Sequence, residues 1–190
     1  WKLENGKLFV RYCKSGLVLR SLKGKTLNVT FPAAWLAEGG ELSEGLDSLN
    51  LDVASADVYV DVPAIRSADV DSASGTIELH GSFRDVNADS ASGSVTVVGS
   101  ADKFDADTAS GAVSLYGRFG SIEADTASGR VHMELTAQPS HVECDTASGS
   151  VTIGLPADIS GFTLDVDTAS GQVMGEDFAT VGAKRHFVYG

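Results

Sequence analysis

One pentapeptide constrains this chain more than any other feature. Asp-Ser/Thr-Ala-Ser-Gly stands at Asp71–Gly75 and begins again at Asp89, Asp107, Asp125, Asp145 and Asp167, with spacings of 18, 18, 18, 20 and 22 residues. A worn copy, Asp52-Val53-Ala54-Ser55-Ala56, lies 19 residues before the first clear one. Self-similarity at such a period is the signature of stacked repeats, in which one unit cannot bury its apolar face alone.

A single unit shows what is stacked. Gly111 is followed by Ala112-Val113-Ser114-Leu115-Tyr116, then by Gly117-Arg118-Phe119-Gly120, then by Ser121-Ile122-Glu123-Ala124 leading into Asp125. Apolar residues alternate with polar ones in both runs, the pattern of a half-buried strand. Each unit therefore reads as strand, turn, strand, turn. The first strands offer Ile77/Leu79, Val95/Val97, Val113/Leu115, Val131/Met133 and Val151/Ile153 in phase. The second strands offer Val86/Ala88, Phe104/Ala106, Ile122/Ala124, Val142/Cys144 and Leu164/Val166. These positions are the expected core. Units this short carry no helix, as leucine-rich repeats would, and are far below the length of a propeller blade. The expected fold is all-β: a parallel β-solenoid, or single-stranded β-helix, of about seven short rungs, right-handed by the usual crossover preference. A flattened or partly antiparallel stack of hairpins is the structural alternative.

The rungs occupy residues 51–172, with an irregular β cap at 1–50 and a C-terminal strand or cap at 173–190, all in one continuous domain. Within the cap, Lys7–Tyr12 and Thr26–Thr30 alternate as strands, and Pro32–Glu38 suits a short helical turn. His186–Tyr189 is strand-like and ends where another rung would begin. An open end of this kind invites a cap or a homo-oligomer. The chain starts at Trp1 without an initiating methionine or signal peptide, so it reads as part of a longer protein. No apolar run approaches the length of a membrane span.

The pentapeptide's chemistry suits a corner. Aspartate can accept backbone N–H bonds two or three residues on, as in an Asx-turn. Small Ala and Ser allow close stacking, and glycine at Gly75, Gly93, Gly111, Gly129, Gly149 and Gly171 permits a positive φ. Stacked hydroxyls can bond from rung to rung. The rival reading of Asp71, Asp89, Asp107, Asp125, Asp145 and Asp167 is a calcium ladder. Each rung supplies only one such carboxylate, and the β-roll calcium repeat has another pattern, so the expectation is no metal and no cofactor.

Charge narrows the partners. Net charge is −12, and Asp71–Gln172 holds 15 acidic and 4 basic residues, whereas Trp1–Lys25 holds 7 basic and 1 acidic. An acidic body repels phosphate backbones and excludes nucleic acid as a partner. Catalysis lacks a constellation. His80, His132, His141 and His186 share no spacing, no serine sits in a nucleophile motif, and a residue copied six times reads as structural. Outward positions are mixed, as at Glu78, Thr96, Ser114, His132 and Thr152. Cys144 takes the slot of Ala88, Ala106 and Ala124, and Cys13 lies far from it, so neither a disulfide framework nor a metal spacing exists. The longer units place extra residues near Ala137–His141 and Pro156–Gly161, which are expected to bulge as contact loops.

The repeated Asp-Thr-Ala-Ser-Gly with a following Val-x-Ile/Leu strand, Leu155-Pro156, and Phe162-x-Leu164-x-Val166-Asp167 resembles the bacterial DUF4097 family of adhesin-like, toastrack domains. The resemblance covers Leu49 to Gly190 well and the N-terminal third loosely. It implies a right-handed β-helical domain in an envelope-associated bacterial protein, anchored by a segment outside this chain. Members often accompany envelope-stress and antimicrobial-peptide response systems, and the family has no catalytic residues to carry over. The expected function is a non-enzymatic, extracytoplasmic binding or scaffold module whose partner is a protein, a cationic peptide or a glycan. The alternatives are a polysaccharide-degrading β-helix enzyme and a module that assembles end to end.

Overall fold

Period-two alternation repeated in phase lets the chain hide its apolar faces by stacking strands in parallel, each residue over its counterpart one unit away. The computed structural model describes residues 2–4, 7–9, 33–40, 43–157, 159–160, 162–170 and 184–189. It shows that stacking, with almost no helix and about seven turns. The parallel strands are β3 (Leu46–Val53), β4 (Val58–Ser72), β5 (Ile77–Ser90), β6 (Val95–Thr108), β7 (Val113–Thr126), β8 (Arg130–Leu135), β9 (His141–Thr146), β10 (Ser150–Gly154) and β11 (Phe162–Thr168). Hydrogen-bonded order runs β3-β4-β5-β6-β7-β9-β11, and β8 and β10 continue the other arm of the ladder from β7. Register follows the repeat, with Val95 on Val113, Val113 on Val131 and Val131 on Val151.

Antiparallel pairs terminate both ends of the described sheet. β1 (Lys2–Glu4) pairs with β2 (Lys7–Phe9), which lies parallel on β3. β12 (Lys184–Tyr189) pairs antiparallel with β11. The short helix α1 spans Ala33–Leu36, inside the stretch expected to hold a helical turn. The Thr26–Thr30 strand, Cys13 and Gly171 lie outside the described residues.

The core is the one expected from alternation. Ile77, Leu79, Val95, Val97, Val113, Leu115, Phe104, Ile122, Val142 and Cys144 are fully buried in a single cluster that both arms of each rung share. Ile153 is only partly buried.

The anticipated turn at Gly117–Gly120 does not interrupt the strand. β7 runs unbroken through it, with Gly117 paired to Gly99 and Phe119 to Ala101. Glycines at this bend column take φ of 144° at Gly81, 136° at Gly99 and 133° at Gly117. That backbone region is costly for a residue with a Cβ. The bend turns Phe119 inward, where it meets Phe104 edge to face at 6.0 Å between centroids. Small Ala101 stands between Phe83 and Phe119 in the same column, so the rings fit without crowding.

Where the units lengthen, the strand does break. Residues 136–140 separate β8 from β9, but the expected outward bulge is tied down. Ser140 donates both its N–H and its hydroxyl to Gly120 O, each at 2.7 Å, and Pro139 is buried. Ser160 N donates to Gln138 Oε1 at 2.8 Å, linking the two insertions, and Leu155 and Ile159 pack against the core.

Candidate functional site

Each rung has two edges: the glycine bend just described and the pentapeptide corner. Division of labour at the corner differs from the expectation. The turn is made by the residue after the aspartate. Gly93 N donates to Ser90 Oγ, Gly129 N to Thr126 Oγ1 and Gly149 N to Thr146 Oγ1, all at 2.8 Å. These hydroxyl residues, Ser72 to Thr168, form a buried column. Thr108 Oγ1 also donates to Gly111 O and lies 3.0 Å from Thr126 Oγ1 on the next rung. Ser72 Oγ, at the first full corner, is buried without a hydrogen-bond partner among the described residues.

The aspartates bond along the stack: Asp107 N donates to Asp89 Oδ1, and Asp145 N to Asp125 Oδ1, each at 3.3 Å. The corner glycines are also explained differently. None of Gly75, Gly93, Gly111, Gly129 or Gly149 has a positive φ. A Cβ on Gly111 would overlap the carbonyl oxygen of Gly93 in the adjacent rung, and the other four face the same obstacle. They are glycine because a carbonyl occupies the side-chain position.

This corner positions the candidate surface. With Ser/Thr turned inward, Asp and Ala of each copy point outward. Stacking makes an aspartate column from Asp52 to Asp167 and an alanine column from Ala54 to Ala169. A shallow groove of about 1210 Å³ runs along them, lined on every rung by the first three residues of the repeat. Two residues before each aspartate, a second outward column carries Asn50, Asp69, Asn87, Asp105, Glu123, Glu143 and Asp165 in register. Repetition of acid at this position was visible in the sequence but hidden beside the more regular pentapeptide. Asn50 and Asn87 Nδ2 both donate to Asp69, at 2.9 and 3.1 Å. From Asp105 onward the second column is carboxylate on every rung.

Two parallel columns of like charge are electrostatically costly. Burial, then Asp69 and Asp52, raise the carboxyl of Asp71 above its ordinary value. Burial and the neighbouring aspartates likewise raise Asp89, against a hydrogen bond from Asp107 N that lowers it. Burial first, then Asp145, raise Asp125. Lys103 reaches Asp105 of the second column at 3.9 Å, and Arg84 pairs with Asp85, outside the two columns, at 3.4 Å. At the C-terminal end, β12 places Lys184 opposite Asp167 and His186 opposite Asp165.

The other candidate residues do not converge. His80, His132 and His141 each pair with a glutamate two residues away, at 2.6, 3.2 and 3.4 Å. Glu78, Thr96, Ser114, His132 and Thr152 do stack in one outward column. Cys144 is buried, which pushes its thiol well up and leaves it inert as a nucleophile. Among the described residues, no three His, Cys, Asp or Glu side chains gather in a way that would hold a metal ion. The two insertions lie at the bend edge, away from the groove.

A parallel solenoid with one groove copied along its length is a repeat domain of the structural or binding kind, since identical corners offer repeated contacts. The Toastrack DUF4097 family model matches residues 13–190, and the chain belongs to that family. No curated protein and no solved structure matches it.

Proposed function

We propose that this Toastrack domain is a non-catalytic binding module of the bacterial cell envelope that takes cationic polypeptides along its acidic corner groove. The observation that carries the reading is the aspartate column along the groove, in register over successive rungs beside a second column that is acidic at all but Asn50 and Asn87. A polycation laid on it meets many weak contacts at once, so affinity comes from their number. Copies of one carboxylate suit such repeated contact better than a single reaction centre, which needs unlike groups converging at one place. Placement outside the cytoplasm rests on the family resemblance, and an adhesin-like or peptide-sensing role would use this same surface.

The test is a thermal-shift titration of the purified domain with oligolysine, neutral glycans and calcium in parallel. Oligolysine is expected to raise Tm saturably, and the shift should disappear as salt rises from about 50 to about 500 mM. Replacing Asp71, Asp89, Asp107 and Asp125 together by Asn should abolish the shift without unfolding the protein. A response to glycans alone, or to calcium alone, would overturn the reading in favour of a sugar-binding face or a metal ladder.

A further inference from the structure

Resting on that reading, we infer that the groove's occupant is an extended polyproline II segment running parallel to the solenoid axis, with a basic residue at every third position. Two independent features of the corner lead there.

The first is main-chain chemistry. The corner's backbone groups are already engaged between rungs: Ala127 N donates to Thr108 O and Ser128 N to Ala109 O, both at 3.1 Å. The pattern recurs at Ala109, Ala147 and Ser148. A peptide seeking to add a β-strand finds these main-chain donors already taken by the neighbouring rung, which disfavours β-augmentation along the groove. Polyproline II makes no main-chain ladder and keeps its backbone solvated. It arrives already extended, which keeps the entropic cost of binding low. Its proline rings can rest on the exposed alanine methyls while basic side chains reach the aspartate column.

Spacing is the second. Asp52 pairs with Asp71, Asp71 with Asp89, and Asp107 with Asp125, so the column climbs one rung at a time. Neighbouring strands lie about 4.8 Å apart, which sets alternate aspartates about 9.6 Å apart. Three residues of polyproline II advance about 9.3 Å. Three basic residues at that period span about 18.6 Å, against about 19.2 Å for four rungs, and stay in step. Alternate residues of a β-strand recur near 6.7 Å and match neither one rung nor two. A helix repeats its face about every 10.5 Å over seven residues and loses about 0.9 Å at each contact. The raised carboxyls of Asp89 and Asp125 fit the same picture, because a cation at alternate positions relieves every like-charged neighbour pair in the column.

The experiment compares three nonapeptides of identical composition, three lysines and six prolines, with oligolysine as reference. Lysines stand at every third position, at every second position, or together in one block. At low salt the period-three peptide is expected to bind about tenfold more tightly than the other two, equivalent to about 1.4 kcal/mol. Its binding should be lost in the variant with Asp71, Asp89, Asp107 and Asp125 all changed to Asn. Equal affinity for the three peptides overturns the inference and leaves the charge-based reading intact. So does oligolysine binding with no binding of any proline peptide. If oligolysine fails as well, the function proposed above falls with it.

Discussion

At the scale of single residues, the pentapeptide divides its work by where each side chain can go. The hydroxyl residue turns inward and accepts the N–H of the glycine three residues on, so Ser and Thr interchange freely at that position. Glycine is required by the carbonyl of the next rung. Gly111→Ala should therefore destabilise the domain by about 2 kcal/mol or more, since the obstacle is backbone and cannot move aside. In a domain of this size that lowers Tm by roughly 4–8 °C. Gly154→Ala is the control. Its added Cβ would meet Met133 O at 3.4 Å, an ordinary contact, and Tm should hardly move. A neutral Gly111→Ala would show that the rungs are not stacked as closely as described. The aspartate faces the surface and carries charge there.

At the scale of the element, one rung is a single long strand bent at a glycine. Gly-Arg-Phe-Gly at Gly117–Gly120 has the composition of a turn and predicts one from sequence. Stacked copies of the bend satisfy their backbone groups in the ladder, and the positive φ of Gly117 swings Phe119 to the inside. Phe119→Ala should cost about 3–5 kcal/mol, as removal of a buried aromatic does. Exposed Arg118, its neighbour, should tolerate Ala within about 0.5 kcal/mol. Chemical denaturation of the two variants separates these outcomes. Equal, small effects would restore Phe119 to a surface turn. The insertions were legible from the unequal spacings. That they would be pinned by Ser140 and by Ser160 to Gln138 was not, because those partners lie about one rung away.

Over the whole molecule the stack converts a local corner into an extended field, and that field carries a pH signature. Asp89 and Asp125 have folded-state values raised above 3.8, chiefly by burial. Folding thus favours their protonated forms. The stability they contribute is complete below 3.8 and is lost as pH rises through the raised values. At pH 7 the column is consequently a liability that the core offsets. Asp125→Asn keeps an acceptor for Asp145 N and removes one charge from the column. It should raise Tm at neutral pH by roughly 1–4 °C, the small size reflecting solvent screening. The gain should vanish in melts run below pH 3.8. A lower Tm than the parent at neutral pH would mean that the carboxylate is structurally required.

The sequence by itself determined the architecture, the rung length and nearly the whole core, from Ile77 and Leu79 through Leu164 and Val166. Alternation and repetition are local in the chain, and stacking merely copies them. Tertiary structure decided what most corner residues do. Thr makes its turn locally, but Asp and Gly acquire their roles, and Thr a second contact, from atoms one rung above or below: the Gly93 carbonyl behind Gly111, the Asp107 amide beneath Asp89, the Thr126 hydroxyl beside Thr108. Those neighbours stand 18 residues away in the chain and are brought to hydrogen-bonding distance only by the fold. The second acidic column was present in the sequence as well. Its meaning as one side of a continuous face depends on parallel register, which sums charges from separate units into a single field.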